Sequence, residues 1–139
     1  MPLWTIYHTP NAFTVEQKAE LAERITTLCY PPLPAFYVGV AFHEMSPDNL
    51  YIAGKPADKF VRIAVDHIAR TLPEAAQRAG WLDRARQALV PLFTERGLSW
   101  EMHVDETTRD LWLIQGLVPP MPNTEPEKKW KAENMPSPY

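Results

Sequence analysis

The chain has 139 residues, of which 45% are hydrophobic, so it is long enough to bury one core and too apolar to be disordered. Its formal net charge is -3 and its largest basic cluster is Lys128–Lys129 with Lys131, which argues against nucleic acid or a membrane surface as the main partner. The single cysteine, Cys29, excludes an internal disulfide, and with neither a secretory-type start nor an apolar run near ~20 residues the protein is expected to be cytoplasmic.

The first elements predicted along the chain are a strand and a helix. Residues 3–9 are rich in β-branched and aromatic types, which favours a strand. Thr14 and Gln17 have the spacing of a capping box, and the apolar stripe that follows predicts a helix to about residue 30. The prolines at 31–34 end this helix.

A second strand and a hairpin follow. Residues 35–42 are apolar without alternation, which predicts a strand with both faces buried. Residues 46–49 are typical of a turn, and residues 50–52 predict a short return strand that closes a hairpin with the strand before it.

The second half repeats the strand–helix–strand order. Residues 60–65 predict a strand, and residues 71–74 have a capping-box pattern with a proline in the first turn. Apolar residues at helical spacing continue to Phe93, Gly97 is placed as a C-terminal cap, and residues 100–104 predict the last long strand.

These elements predict one α/β (α+β) domain over residues 1–139, made of two β-α-β units at about 2–56 and 57–116. We expect a four-stranded mixed sheet with two helices on one face, because crossovers of one hand place both helices on the same side. The tail, residues 117–139, predicts a short helix capped by Thr124 and anchored by Trp130. The uncovered sheet face is expected to be buried against other copies of the chain.

Pro2, directly after the initiator methionine and at the start of the first strand, is the residue at which a family resemblance begins. The sequence resembles the tautomerase superfamily, and within it cis-3-chloroacrylic acid dehalogenase and the fungal proteins grouped with it. Besides Pro2, the motifs that carry the resemblance are residues 23–26, 36–44, 49–54, 67–70, 111–116 and 127–130. The resemblance implies a tautomerase fold, a homotrimer, and an N-terminal proline amine as the central catalytic group.

The resemblance keeps two of the dehalogenase's six functional positions. Its catalytic proline falls on Pro2, and one of its two carboxylate-binding arginines falls on Arg70. The other four positions carry different residues here: Pro73, Cys29, His103 and Ile114. The scaffold is therefore supported better than the dehalogenation reaction.

Five residues are the candidates for the site, each with a structural alternative. Pro2 is expected to transfer the proton and Arg70 to bind a carboxylate, although an arginine near a helix start often forms a surface salt bridge. His103 is expected to share a strand face with Glu101 and Asp105 and, with Tyr37, to polarise a carbonyl or a water. Trp4 is expected to wall the amine. The alternative for His103 is a hydrogen-bonded strand histidine, for Tyr37 a packed strand tyrosine, and for Trp4 the core position that a tryptophan in a first strand more often has.

No metal or cofactor is expected. His8, His43 and His67 lack the close spacing of a zinc motif, and each could satisfy a backbone partner. The sequence has no glycine-rich phosphate loop and no dinucleotide fingerprint.

The sequence thus predicts a cofactor-independent tautomerase or isomerase that acts on a small carboxylate, such as a 2-oxo acid or an unsaturated acid. Two alternatives stay open: hydration or hydrolytic dehalogenation of a 3-halo or acetylenic acid, and a non-catalytic oligomeric binding protein on the same scaffold. The mechanism requires removal of Met1, because the nitrogen of Pro2 would otherwise be an amide without basicity.

Overall fold

The computed structural model describes residues 2–139, and Met1 lies outside the described residues. In this part of the chain the elements are β1 (Leu3–His8), α1 (Val15–Arg24), β2 (Gly39–Glu44), β3 (Tyr51–Ile52), β4 (Lys55–Pro56), β5 (Phe60–His67), α2 (Ala75–Glu95), β6 (Ser99–Glu106) and α3 (Glu125–Glu133).

Four strands form one mixed sheet in the order β2-β1-β5-β6. β1 is parallel to β2 and β5 is parallel to β6, while the two central strands, β1 and β5, are antiparallel. Each parallel pair belongs to one β-α-β unit, so the predicted four-stranded mixed sheet is confirmed.

The helices cover one face of this sheet. In β1 and β5 every second side chain is buried, including Trp4 and Ile6 on β1 and Ile63 on β5, whereas their neighbours are half-buried or exposed. The buried rows pack with residues of α1 and α2, such as Leu21 and Leu89, in a single core. Within one chain the opposite face is covered by none of the described elements, as the sequence predicted.

The first helix has the predicted start and an unexpected end. Thr14 and Gln17 form the capping box, with each side chain accepting from the other's backbone amide. After α1 the helix continues as a π-helical turn, Ile25–Cys29. The hydroxyls of Thr26 and Thr27 donate to the carbonyls four residues earlier at 2.8 and 2.9 Å. These carbonyls therefore have a hydrogen-bond partner where the regular α-helical bond is replaced.

Three predictions for the segment after this helix were wrong in detail. The strand expected from residue 35 begins at Gly39, because Pro34 and the residues after it form a 3₁₀ turn. β2 is also half-buried rather than buried on both faces, since it lies at the edge of the sheet. The return strand forms, but β3 pairs with β4 and not with β2. Ala53 and Gly54, at φ 53 and 74, supply the tight turn that closes this pair.

The second helix begins three residues later than predicted. The capping residue is Glu74, paired reciprocally with Gln77, and not Thr71. Leu72 precedes a proline, which disfavours helical backbone there, and its amide instead donates to the Glu106 carboxylate at 2.7 Å. The predicted helix end is confirmed, with Gly97 at φ 63 just beyond it.

The tail packs against the domain through α3. Trp130 is fully buried, and its indole N–H donates to the carbonyl of Ser137 at 2.7 Å. Asn134 ends the helix in left-handed conformation, and its side chain accepts from the amide of Phe36 at 3.0 Å. The predicted helix over residues 125–133 and its tryptophan anchor are confirmed.

Candidate functional site

Pro2 is buried at one end of the sheet, where the central strands meet a neighbouring edge strand. Its carbonyl accepts from the amide of Gly39 at 2.9 Å, and the next residue, Leu3, pairs with Gly39 on one side and Asp66 on the other. The same register extended by one residue sets Pro2 beside His67. Pro2 therefore lies between the start of β2 and the end of β5, on the face that the helices cover.

His67 is a residue of this end that the sequence did not identify as functional. It is 2% exposed, and it pairs with Glu106 at the end of β6. Burial lowers the pKa of His67, Arg70 acts in the same direction, and Glu106 opposes both, so the ring is neutral at neutral pH. The alternation of residue types along Phe60–His67 indicates on which face of the sheet His67 lies. The antiparallel pairing of β5 with β1, which sets His67 opposite Pro2, could not be predicted from the sequence.

Tyr37 ends the 3₁₀ turn before β2, two residues before Gly39, whose amide bonds the Pro2 carbonyl. Its side chain is 1% exposed and packs edge-on against Trp112 with ring centroids 4.8 Å apart. Its hydroxyl has no hydrogen-bond partner among residues 2–139. Burial, reinforced by the negative charge of Glu127, raises the pKa of Tyr37 to about 12, so the phenol keeps its proton and can act as a donor.

Arg70 is close to these residues, but it already holds a carboxylate of the same chain. Its Nη2 donates to both oxygens of Glu127, at 3.0 and 2.9 Å, and its Nη1 donates to the carbonyl of Ala69. Glu127 also accepts from the amide of Asn123 at 2.7 Å, and its side chain is 6% exposed against 23% for Arg70. The predicted carboxylate-binding arginine therefore anchors α3.

Trp4 follows Pro2 on the same strand face and belongs to the core. It is fully buried, its ring lies 5.8 Å from that of Trp81, and its indole N–H donates to the hydroxyl of Tyr30 at 3.0 Å. It therefore supports the site from beneath.

His103 lies on the opposite face of the sheet from Pro2. The predicted face sharing is confirmed, because Glu101, His103 and Asp105 are all exposed while Met102 and Val104 between them are half-buried. His103 contacts Asp105 at 3.0 Å and Arg62 at 2.5 Å. The expected grouping of His103 with Pro2 and Tyr37 is thus absent within the described part of one chain, because the sheet separates them.

A pocket of about 240 Å³ lies between α2 and the edge strand β6, next to the end of the sheet that holds Pro2. Its walls are mainly apolar and include Leu72, Trp81 and Val104, and the polar groups that line it belong to Arg78, His103 and Glu106. Arg78 donates to the carbonyls of Leu72 and Pro73, so a cation lies beside Pro73 although the arginine of the dehalogenase is missing there. Arg78, one helical turn beyond Glu74, was not among the residues that the sequence predicted for the site.

Residues 2–139 contain no group of three or more histidine, cysteine, aspartate or glutamate side chains placed to hold a metal ion. No described helix combines the length and the apolar character that crossing a membrane requires.

Comparisons with known proteins agree on the family. The sequence model of a family described as "Putative oxalocrotonate tautomerase enzyme" matches residues 1–135. A protein from the thermophilic fungus Aspergillus fumigatus, described as "a probable enzyme", is 43% identical, with 100% of this chain and 98% of that chain covered and a TM-score of 0.95. RhCC from Rhodococcus jostii RHA1 is 47% identical, with 99% of each chain covered and a TM-score of 0.93. A search of curated proteins finds no match.

A more distant structure has the same fold. N1, described as a member of the cis-3-chloroacrylic acid dehalogenase family, is 22% identical, with 95% of this chain and 97% of that chain covered and a TM-score of 0.74. The resemblance drawn from the sequence motifs is confirmed, and the chain belongs to this family of oxalocrotonate-tautomerase-type proteins within the tautomerase superfamily.

Proposed function

We propose that the protein catalyses cofactor-independent proton transfer on a small carboxylate, a 2-oxo acid or an unsaturated acid, with the amine of Pro2 as the base. The observation that carries the proposal is a pair of unpaired buried polar groups on the two chain segments that flank Pro2. The Tyr37 hydroxyl and His67 Nε2 are both without a hydrogen-bond partner among residues 2–139. An unpaired buried group costs about 1–3 kcal/mol, so such a pair is what a polar ligand beside Pro2 would satisfy.

The chemistry requires a free secondary amine. An α-amino group has an unperturbed pKa of ~8, and a buried amine is more easily kept neutral than an exposed one. The neutral amine takes the proton from the carbon next to the carbonyl, the C–H electron pair forms a C=C bond, and the carbonyl oxygen becomes an enolate or enol. The ammonium then returns the proton to a different atom. No redox step and no cofactor enters this sequence.

Arg70 is the proposed carboxylate-binding group. The Glu127 carboxylate on its Nη2, at 2.9 and 3.0 Å, supports this role, since it is the same functional group as the proposed ligand. The substrate would compete with Glu127 for the guanidinium. Tyr37, protonated at neutral pH, would donate to a substrate oxygen.

A homotrimer is part of the proposal. The sheet face opposite the helices carries half-buried side chains on both central strands, including Leu3, Tyr7 and Ala64, and none of the described elements covers it. His103 lies on this face, so it could join a Pro2 site only from a neighbouring copy. Light scattering coupled to size exclusion tests the oligomeric state, and a monomer at micromolar concentration would remove both the trimer and this role of His103.

The test of the proposal is to change the amine in two ways. The reverse direction, ketonisation of phenylenolpyruvate, serves as the assay and is followed by ultraviolet absorbance; there Pro2 takes up the enol proton and delivers it to the carbon. Pro2→Ala replaces the ring amine by a primary amine on a less constrained residue, and it is expected to lower kcat without abolishing turnover. A two-residue Gly-Ser extension before Pro2 keeps the ring but makes its nitrogen an amide, and it is expected to abolish turnover.

Pro47→Ala is the matched control, since Pro47 is an exposed turn proline. Its kcat is expected to equal that of the unmodified protein. Mass spectrometry of the purified protein is expected to show that Met1 is removed. Full activity in the extended protein would disprove the proposed mechanism.

A further inference from the structure

A chain of three buried polar side chains lies beneath Pro2. The Trp4 indole N–H donates to the Tyr30 hydroxyl at 3.0 Å, and the same hydroxyl lies 3.5 Å from Nδ1 of His67. The rings of Tyr30 and His67 are stacked, with centroids 5.8 Å apart. All three residues are at most 4% exposed, so the hydrogen bonds that join them are shielded from water.

The donors and acceptors of Trp4, Tyr30 and His67 favour one position for the His67 proton, the one that gives every hydroxyl and indole proton an acceptor. An indole N–H can only donate, so Tyr30 accepts from Trp4 and keeps its own hydroxyl proton to give. Among residues 2–139 the acceptor within reach of that proton is Nδ1 of His67. A neutral imidazole that accepts at Nδ1 carries its proton at Nε2.

The surroundings of His67 keep the ring neutral and leave Nε2 unpaired. Burial in contact with Trp81, whose ring meets that of His67 edge-on, lowers the His67 pKa. Glu106 on β6 opposes this shift, but its carboxylate is engaged by the amide of Leu72. Arg70, three residues further on, again disfavours a second positive charge. Nε2 itself contacts no donor or acceptor among residues 2–139.

The strand pairing sets His67 opposite Pro2. Leu3 pairs with Asp66, so the preceding residue, Pro2, is the cross-strand neighbour of His67. Directly opposed residues of antiparallel strands have Cβ atoms about 4.5–5.5 Å apart, close enough for both side chains to touch one small ligand. The neutral donor thus belongs to the residue directly opposite the proposed base.

We propose that His67 is a second catalytic residue, whose Nε2–H donates to the carbonyl oxygen of the substrate while Pro2 removes the α-proton. The inference rests on the proposed function. As the C–H electrons form the C=C bond, negative charge develops on that oxygen, and the hydrogen bond stabilises it without proton transfer from the ring. Trp4 and Tyr30 act as positioning residues, since they hold the tautomer that donates.

The experiment compares variants of the whole protein in phenylenolpyruvate ketonisation. His67→Met, which keeps an apolar side chain of similar size, is expected to lower kcat by about 100-fold, as loss of one oxyanion donor does, and His67→Gln to recover part of this loss through its amide N–H. His8→Met is the matched control. Like His67, His8 is a buried strand histidine with an unpaired Nε2, but it lies at the far end of β1, six residues or about 20 Å from Pro2. The His8→Met variant is therefore expected to keep full kcat.

A second measurement does not depend on turnover or on the folding of the His67 variants. Long-range ¹H–¹⁵N correlation spectra of the imidazoles are expected to show His67 as the Nε2–H tautomer, and as a mixture of tautomers in Tyr30→Phe. Titration with oxalate, a planar dianion that mimics the enolate of a 2-oxo acid, is expected to shift the His67 Nε2 signal.

The outcomes separate the two proposals. A folded His67→Met variant with kcat within about threefold of the unmodified protein, while the N-terminally extended protein is inactive, would overturn the role of His67 and leave the proposed function intact. An Nδ1–H tautomer would overturn the role of His67 as well. An active N-terminally extended protein would instead overturn the proposed function.

Discussion

Replacing Arg70 with methionine tests the ion pair that joins α3 to the end of the sheet. The change removes the guanidinium but keeps an apolar stem, and it leaves the Glu127 carboxylate, 6% exposed, with the Asn123 amide as its remaining donor at 2.7 Å. Breaking a buried ion pair from one side costs about 3–5 kcal/mol. We expect a loss of about 3 kcal/mol, the low end of that range, because Glu127 keeps one donor and Arg70 is itself partly exposed.

The measurement is urea unfolding at fixed protein concentration, which keeps any subunit association constant. Glu127→Gln is expected to cost about 1–2 kcal/mol, since the amide oxygen can still accept from Arg70. The double variant is expected to be more stable than Arg70→Met alone, because it leaves no unpaired buried charge. Arg86→Met is the matched control: its pair with Asp83 is exposed on both sides, at 62% and 63%, and its loss is expected to change stability by less than about 0.5 kcal/mol.

Two results would refute this reasoning. A loss below about 1 kcal/mol in Arg70→Met would mean that water solvates Glu127 in the folded protein. Additive losses in the double variant would mean that the two side chains act on stability independently.

Two further predictions concern acid and substrate affinity. The free energy of unfolding is expected to fall as the pH is lowered from about 7.5 to about 5.5. Burial lowers the pKa of His8 and His67 below 6.5 in the folded protein, so only the unfolded chain takes up their protons in this range. Each histidine contributes at most about 1.4 kcal/mol per pH unit. Denaturant unfolding at several pH values checks this, and an unchanged slope in His8→Asn would contradict it. Glu127→Gln is also expected to lower KM for phenylenolpyruvate with little change in kcat, since the substrate no longer competes with a full negative charge for Arg70; a raised KM would argue against that competition.

The sequence predicted the fold well where a local pattern is enough. The capping box at Thr14, the tail helix with Trp130 and the strand order within each β-α-β unit all follow from spacing and residue type. The errors occur where a distant partner decides. The segment after Pro34 has strand composition but turns first, and the helix start at Glu74 depends on the contact of Leu72 with Glu106 on β6.

The site was predicted in part for the same reason. Pro2 could be identified from its position and from the family resemblance, but its neighbours across the sheet could not. Alternation assigns His67 and His103 to faces of their own strands, and the strand pairing alone decides that one lies beside Pro2 and the other on the opposite face. The partner of Arg70 lies 57 residues away in the tail, beyond the reach of any local pattern.

The π-helical turn at Ile25–Cys29 has a consequence for sequence comparison. A π turn closes its hydrogen bonds one residue later than an α turn, so it accommodates one residue more over the same length of helix. In a relative whose first helix is regular throughout, an alignment without a gap is displaced by one position after the turn. The residue equivalent in space to a functional group aligned with Cys29 is then Tyr30, the side chain that contacts His67. Substitutions at this end of the helix are therefore better compared by superposition than by counting residues.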